Sequence, residues 1–420
     1  MSKFLRRAGL LLGWLAVWGY ILAWQLGPSW GAVTHGFVGH YTAARLLIGG
    51  DFGPAVYDDD WFAGQVQTYT GPAVYEIFTP NLPTVALLAL PLAGLPPQAA
   101  RDAWLVVSLA ALLATCGVLV GVGLGLGQSP EASGWILLVG LIALLPAVGA
   151  NLAVGQTYLV LGGLLALALL GLVYRRDGLV GGLLGLAFIL KTSGLFLWVV
   201  PLLHGRWRAL LWGGGTILLV AVFSLPWLGF DTWLAYPAAV SAFSRRGALA
   251  VPAYQTTTGL LTHLFSYDPQ WNPAPIGPWP VVASVLPSII RIVSLGATLW
   301  IGRRSDPARL FAALLPLTIV LLPVAEEYHF VLLLGSMFVV ITDLLRRPVE
   351  TAADWAGWLA LGAALLLMIA PIPFKSTGWA VGWWALLAYP RLYGAWLVWA
   401  VAMWGLSPRL DARSSLIVGN

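Results

Sequence analysis

The sequence predicts an all-α polytopic membrane protein that forms a single integral membrane domain over residues 1–420. Hydrophobic residues make up 59% of the chain and charged residues only 9%. Mean hydropathy is +0.85, and apolar runs recur near the length of about 20 residues that a helix needs to cross a bilayer. Cys116 is the only cysteine, which excludes a disulfide framework and a cysteine metal site. The net charge of +5 comes mostly from short Lys/Arg clusters beside apolar runs, which is typical of topology signals rather than nucleic-acid binding.

The first apolar run, at 8–26, follows Lys3, Arg6 and Arg7. It lacks a clear cleavage site and predicts an uncleaved first span with its N-terminus inside. The polar stretch that follows, 27–80, is acidic on balance and is expected to form a first outer loop. Within it, residues 39–50 have helical spacing that indicates an interfacial helix.

The remaining apolar runs predict a bundle of about twelve transmembrane helices. Beyond the first, the predicted spans are 82–97, 103–125, 134–150, 157–174, 178–202, 207–229, 280–301, 308–325, 329–345, 354–371 and 379–406. This arrangement puts both termini and most basic clusters inside and makes 231–278 a second long outer loop. Arg175 and Arg176 disagree with it, because the arrangement places them outside.

Ionisable residues at membrane depth are costly and therefore mark candidate sites. Lys191, in GLAFILKTSG, either faces a polar cavity from an opened helix and suits a phosphate, or snorkels or forms a buried ion pair. In PVAEEYHF, the side chains of Glu326, Glu327 and His329 could bind a metal, act as a general base or orient a sugar hydroxyl. The alternative is a solvated turn.

The first outer loop concentrates further polar side chains. Asp58, Asp59 and Asp60 either hold a divalent cation or begin a helix. His35 and His40 are each either a neutral base or an interfacial hydrogen-bonding group. Trp61 and Tyr41 complete the candidates in this loop, where tryptophan serves both interfacial anchoring and sugar stacking.

Polar groups elsewhere fit sugar or phosphate. The amides of Asn151 and Gln156, in GANLAVGQTY, either bond sugar hydroxyls or form a structural turn. In the second outer loop, Arg245 and Arg246 suit a phosphate through paired donors, and Gln255 suits hydroxyl groups.

Several stretches in succession resemble glycosyltransferase family 87, which includes polyprenyl-phosphate-mannose-dependent mannosyltransferases. They are HYTAARLLIGGDFGPAVYD, FTPNLPTVALLALPLAGLPP, GQTYLVLGGLLALALL, GGLLGLAFILKTSGLFLWVVPLL with RWR, YQTTTGLLTHL and PVAEEYHFVLLL. The resemblance implies the fold of the C-type glycosyltransferase superfamily and sugar transfer, with inversion, from a polyprenyl-phosphate carrier at the outer membrane face. It also implies that Gln156, Lys191, Gln255 and His329 lie near the donor.

One departure from the family concerns an acidic residue that would act as the catalytic base. The family carries an aspartate a few residues before paired tyrosines, and that place here reads THGFVGHY. Gly36 aligns with the acid, His35 precedes it and His40 replaces one tyrosine. Either a histidine is the base, or an acid comes from 58–60 or from Glu326 and Glu327, or the activity has been lost.

The sequence therefore predicts a bacterial inner-membrane glycosyltransferase with its active site facing outside. The expected partners are a polyprenyl-phosphate-linked sugar, a lipid or glycan acceptor and membrane lipids, with no nucleic acid. Catalytic candidates are Glu326, Asp58, His35 and His40. Donor-binding candidates are Lys191, Arg245, Arg246, His329, Gln255 and Gln156. Acceptor or sugar-binding candidates are Tyr41, Asn151, Glu327 and Trp61. No cofactor is certain, and a divalent cation at Asp58, Asp59 and Asp60 is one option. The rivals are a transporter or flippase of lipid-linked saccharides and an inactive family member that binds them.

Overall fold

The computed structural model describes residues 3–79, 81–245, 250–379 and 381–406. Throughout these residues the regular structure is helical, apart from one isolated bridge between Asp268 and Asn272. The predicted all-α fold is confirmed for this part of the chain. The tail at 407–420 lies outside the described residues.

The first outer loop contains two helices. They follow α1, and the three helices are α1 (Lys3–Tyr20), α2 (Phe37–Gly49) and α3 (Asp59–Thr70). The helix expected at 39–50 is thus present as α2, which ends where Gly50 adopts φ +81°. Most residues from Phe37 to Leu46 are buried. Helix α2 is therefore packed on several sides, more like a core helix than one lying alone on a membrane surface.

The span predicted at 82–97 is wrong. In its place are α4 (Val85–Leu88) and a 3₁₀ turn at Leu90–Leu92, which together are too short to cross a bilayer. Pro83, Pro91 and Pro96 remove backbone donors and clash with a continuing helix. The next long helix, α5, begins only at Pro97 and runs to Gly125.

The next helices form a bent pair and a broken segment. They are α6 (Pro130–Ala143), α7 (Leu145–Val154), α8 (Tyr158–Val173), α9 (Asp177–Leu190) and α10 (Val199–Leu203). Helices α6 and α7 meet at an angle of 62°. The predicted interruption at the Lys-Thr-Ser-Gly stretch is present: Lys191 is extended, with φ −154° and ψ 126°, and a 3₁₀ segment follows at Thr192–Trp198.

The remaining described helices complete the bundle. They are α11 (Trp207–Leu228), α12 (Phe230–Arg245), α13 (Thr257–Phe265), α14 (Pro280–Gly302), α15 (Pro307–Val320), α16 (Leu333–Leu345), α17 (Ala352–Ile369) and α18 (Pro390–Leu406). The main apolar core is formed largely by leucine, valine and alanine side chains from α5 to α9 and from α15 to α18. A 3₁₀ turn at Glu327–Leu332 leads directly into α16.

Six described helical segments are long and apolar enough to cross a membrane, or eight if each bent pair counts as one span. Four shorter apolar helices accompany them. The count of about twelve transmembrane helices is not confirmed and stays a prediction.

The segment 177–206 turns back on itself. At its two ends, Nε of Arg206 donates to Oδ1 of Asp177 over 2.6 Å. In the adjoining turn, His204 Nε2 lies 2.9 Å from the carbonyl oxygen of Ser305. The segment predicted as the span 178–202 therefore begins and ends at the same end of the bundle. A broken helix of this kind is tolerated at membrane depth where it is buried in protein or lines a cavity.

Candidate functional site

A polar cavity of about 470 Å³ lies where several helices end. Its wall comes from the start of α2, the loop 76–82, the break after α7, the end of α9, α12 and the segment 322–329. The ionisable, amide, hydroxyl and imidazole side chains in this wall are His40, Glu76, Thr79, Asn81, Gln156, Tyr158, Lys191, Thr192, Tyr236, Tyr254, Glu326, Tyr328 and His329. His40, Gln156, Lys191, Glu326 and His329 were predicted from the sequence, and the fold brings them together.

A larger groove, of about 710 Å³, has a different character. Its lining residues are Leu47, Ile48, Leu87, Leu90, Leu219, Val220, Phe223, Ser224 and Trp227. None of these side chains is an acid or a base of the kind that transfers protons near neutral pH. Of these two cavities, the polar one therefore contains the side chains able to transfer protons.

Lys191 reaches the cavity because the helix stops beside it. Helix α9 ends at Leu190, and the extended backbone of Lys191 turns its half-buried side chain into the cavity wall. Its Nζ donates to Oδ1 of Asn81 over 2.6 Å and lies 5.8 Å from the centre of the Tyr158 ring. An ammonium held by one neutral amide keeps two donors for an anionic ligand.

Glu326 and His329 are fixed against each other at the start of a 3₁₀ turn. The backbone N–H of Glu326 donates to Nδ1 of His329 over 3.0 Å, and the hydroxyl of Tyr328 donates to Oε1 of Glu326 over 3.3 Å. The His329 ring lies 4.1 Å from the Tyr158 ring, centre to centre. The proposed turn thus exists, but it faces a cavity instead of bulk solvent.

Burial raises the pKa of Glu326, because removing a carboxylate from water disfavours its charged form. The charge of Lys375, the hydrogen bond from Tyr328 and the charge of His35 oppose that shift, while the charge of Glu76 adds to it. Glu326 therefore takes up a proton at a higher pH than an exposed glutamate.

His40 is buried in the first turns of α2, and His35 is exposed just before that helix. Burial and the charge of Lys191 lower the pKa of His40 to about 3, and the nearby side chain of Gln156 opposes the change. His40 is therefore a neutral imidazole at physiological pH. His35 does not line the cavity, although it is close enough for its charge to act on Glu326.

Arg101, to which the sequence analysis assigned no role, holds two parts of the wall. Its fully buried guanidinium donates to the carbonyl oxygens of Leu152 and Ala153, the latter over 3.1 Å, and its Nε donates to Thr34 over 3.2 Å. These contacts pair carbonyls that α7 leaves open at its C-terminus. They fix the chain just before Gln156 and just before α2.

The acidic run of the first outer loop does not line the cavity. Oδ1 of Asp58 accepts hydrogen bonds from the backbone N–H groups of Asp60 and Trp61, which makes Asp58 the N-cap of α3. Of the two predicted roles, the helix start is the one observed, because a carboxylate is favoured there. In the part of the chain that the structure describes, no group of three His, Cys, Asp or Glu side chains is placed to hold a metal ion.

Trp61 and Tyr41 also stay out of the cavity wall. Trp61 packs against a small apolar cluster of the first outer loop. The buried Tyr41 donates from its hydroxyl to the carbonyl oxygen of Leu95 over 2.8 Å. Both side chains therefore pack the loop instead of lining the cavity.

Gln255 and Glu327 support the helix α18 and not the cavity. Nε2 of the fully buried Gln255 donates to the carbonyl oxygens of Pro252 and Ala388, and its Oε1 accepts from the backbone of Arg391. Oε1 of Glu327 lies 2.8 Å from Nε of the buried Arg391. The resemblance placed Gln255 near the donor, and Glu327 was predicted to bind the acceptor or a sugar. Contacts with Arg391, more than 60 residues away, instead hold both side chains outside the cavity wall.

The other three candidates are Asn151, Arg245 and Arg246. Asn151 is fully buried in α7 and does not line the cavity. The side chain of Arg245 and the whole of Arg246 lie outside the described residues. A phosphate-binding role for this arginine pair stays a prediction.

The most consequential residue missed as a site candidate is Glu76. Oε2 of Glu76 accepts a hydrogen bond from the backbone N–H of Gly36, 40 residues earlier in the chain. The available signal was an ionisable residue in a loop that is otherwise largely apolar near its end. Tyr254 and Tyr328 were missed as well, and both line the cavity.

Comparisons with known proteins agree with the resemblance seen in the sequence. The family model of glycosyltransferase family 87 matches residues 78–324. Among solved structures, the chain is similar to ArnT from Cupriavidus metallidurans in the apo state. That match has 14% sequence identity and a TM-score of 0.42, and covers 94% of this chain and 76% of that one. None of the curated proteins compared with the chain matches it.

Proposed function

The chain belongs to glycosyltransferase family 87, and from that membership we propose that it transfers a sugar from a polyprenyl-phosphate carrier to a lipid or glycan acceptor. Family membership supports a multi-pass membrane glycosyltransferase. The proposal adds the donor class, and mannose or a related hexose or pentose is the expected sugar. One observation carries it: a lysine, two carboxylates and two imidazoles share the wall of one cavity.

Each group has a part in such a transfer. Lys191 would bind the donor phosphate as an ion pair that strengthens while negative charge grows on the leaving oxygen. The acceptor hydroxyl attacks the anomeric carbon and gives its proton to a cavity carboxylate. The bond from that carbon to the phosphate oxygen breaks, and its electron pair leaves with the polyprenyl phosphate. Configuration at the carbon is inverted.

Basic residues at the end of the bundle opposite the cavity support an orientation in which the cavity faces outside. Without a span at 82–97, and with 177–206 turning back, Arg175 and Arg176 fall on the same side as the N-terminus. Arg7 lies on this side as well: its Nε is 3.6 Å from Oε2 of Glu131, in the first turn of α6. Basic residues collect on the cytoplasmic side of membrane proteins. The cavity then opens at the opposite, outer face.

The two rival functions predict different cavities. A flippase needs a polar path across the bilayer, whereas the polar residues described here gather near one end of the helices. An inactive relative would lack groups able to move a proton, whereas Glu76, Glu326 and His40 line the cavity. Both observations favour the transferase.

The direct test is sugar transfer by purified protein in lipid nanodiscs. Polyprenyl-phosphate donors carrying different radiolabelled sugars are supplied with membrane lipid acceptors, and labelled product is measured. Labelled product together with released polyprenyl phosphate is the expected result. Donor movement across sealed vesicles without any transfer would support the flippase instead. Binding without transfer for every sugar would support the inactive relative.

Donor binding is expected to depend on pH through Glu326. As pH falls through the raised pKa of this carboxyl, its negative charge disappears and no longer repels the donor phosphate. Affinity should therefore increase by roughly threefold to tenfold on acidification. The measurement is calorimetric titration of nanodisc-held protein with donor between about pH 5 and pH 8, on the high-pH side of the ordinary glutamate pKa.

Glu326→Gln is the matched variant, because it keeps the shape of the side chain without its charge. Its donor affinity should stay almost constant over the same range. Equal pH dependence in the variant and the wild-type protein would show that another group is responsible.

A further inference from the structure

The carboxylate of Glu76 lies against the first turn of α2. Its Oε2 accepts a hydrogen bond from the backbone N–H of Gly36, the N-cap residue of that helix, and its Oε1 accepts from the N–H of Ile77 over 3.0 Å. A carboxylate has about four lone-pair sites. Two backbone donors therefore anchor Glu76 and leave acceptor capacity on a side chain that lines the cavity.

Two glycines make this approach possible. A Cβ at residue 39 would lie 3.0 Å from Cγ of Glu76, so a larger residue there would push Glu76 away. A Cβ at residue 36 would lie 2.6 Å from the carbonyl oxygen of Val154 and 3.1 Å from Nε2 of Gln156. The backbone of Gly36 also has φ +85°, a conformation that L-residues with side chains rarely adopt.

Position 36 is where the resemblance to the family places an aspartate. No side chain fits there without displacing the backbone at Val154 or the amide of Gln156. The backbone of the same residue instead holds the carboxylate of Glu76. An acid is thus present beside position 36, although a different part of the chain supplies it.

We propose that Glu76 is the catalytic base of the sugar transfer, supplying the carboxylate that position 36 lacks. This proposal rests on the proposed function. The acceptor hydroxyl donates its proton to Glu76 while its oxygen bonds to the anomeric carbon. The phosphate oxygen departs with the electron pair of the broken bond and is paired with Lys191. The charge of Glu76 acts on both Lys191 and Glu326, which places the three groups within electrostatic reach of one another.

Glu326 is less suited to the same task. The hydroxyl of Tyr328 donates to it and occupies one of its acceptor sites, and burial raises its pKa, so Glu326 keeps its proton to a higher pH than an exposed glutamate. Glu76 accepts from backbone groups alone among its described hydrogen bonds. Glu326 is then free to contact the donor sugar.

The competing explanation is that Glu76 only caps α2. A cap needs an acceptor oxygen and not a base, so Glu76→Gln separates the two roles. The glutamine has the same shape and keeps an oxygen for the N–H of Gly36. It loses the acceptor for the N–H of Ile77, and it cannot accept the substrate proton. Glu131→Gln is the matched control, because Glu131 pairs with Arg7 at the end of the bundle opposite the cavity.

The experiment measures donor binding and single-turnover transfer for the wild-type protein, Glu76→Gln, Glu76→Asp and Glu131→Gln in nanodiscs. We expect Glu76→Gln to bind donor within about threefold of wild type and to lose roughly 10²-fold or more in transfer rate. Glu76→Asp should keep a measurable, pH-dependent rate. Glu131→Gln should match wild type.

The outcomes separate this proposal from the one it rests on. Active wild-type protein with an equally active Glu76→Gln variant would overturn the role of Glu76 and leave the transferase in place. Loss of donor binding and transfer in parallel, with Glu76→Asp equally damaged, would mean that Glu76 is structural. Wild-type protein that transfers no sugar would overturn both proposals together.

Discussion

Replacing Lys191 with alanine is expected to lower kcat/KM for a polyprenyl-phosphate donor by about 10²- to 10³-fold. The ammonium lies in the cavity wall, held by Asn81, where it can pair with the phosphate. Such a contact strengthens as the leaving oxygen gains charge, so the turnover number should fall more than donor affinity does. Single-turnover transfer and calorimetric donor binding on the same nanodisc sample measure the two effects separately.

Three variants define the cause of that loss. Lys191→Arg keeps the positive charge and should recover part of the rate, whereas Lys191→Met keeps only the apolar stem and should behave like the alanine variant. Lys3→Ala removes an exposed lysine at the start of α1 and should leave transfer unchanged. A Lys191→Met variant with normal transfer would mean that the phosphate binds elsewhere, with Arg245 and Arg246 as the next candidates.

The fold was predictable where the signal was local. The Lys-Thr-Ser-Gly interruption of 178–202 appears as an extended residue between helical segments, because a polar stretch inside an apolar run has few other solutions. At 82–97, hydropathy favoured a transmembrane span, but the prolines there interrupt the helix. Whether 177–206 crosses or turns back depends on the contact of Asp177 with Arg206, which no local pattern contains.

The site residues also divide into those with a local sequence signal and those that depend on distant contacts. Lys191, Glu326 and His329 were found because each is an ionisable residue where an apolar run breaks. Gln255 and Glu327 have equally suggestive neighbours, but α18 binds both through Arg391. Glu76 was missed because its importance comes from a hydrogen bond to a residue 40 positions away. Pairings between distant parts of the chain are set by tertiary packing and not by sequence pattern.

Gly36→Asp, which introduces a carboxylate where the resemblance places the aspartate of the family, is expected to damage the protein. A non-glycine residue with φ +85° and ψ −74°, a sparsely populated backbone conformation, is strained by about 1–3 kcal/mol. The new Cβ also meets the Val154 carbonyl oxygen at 2.6 Å, and overpacking of this kind adds about 1–3 kcal/mol. The new carboxylate further repels Glu76. We expect a clearly lower midpoint of thermal unfolding in detergent and almost no transfer.

Gly50 provides a control for a positive φ in open space. It has φ +81° at the end of α2, and a Cβ there would meet nothing within 4 Å. Gly50→Ala should therefore show the strain alone, about 1–2 kcal/mol, with transfer largely retained, whereas Gly36→Ala should show strain, crowding and a displaced Glu76. Equal losses for the two alanine variants would mean that the contacts around Gly36 do not constrain it. A Gly36→Asp/Glu76→Gln double variant with near-normal transfer would show that an acid can act from position 36 after all, and that the space beside α2 is less restricted than its contacts with Val154 and Gln156 require.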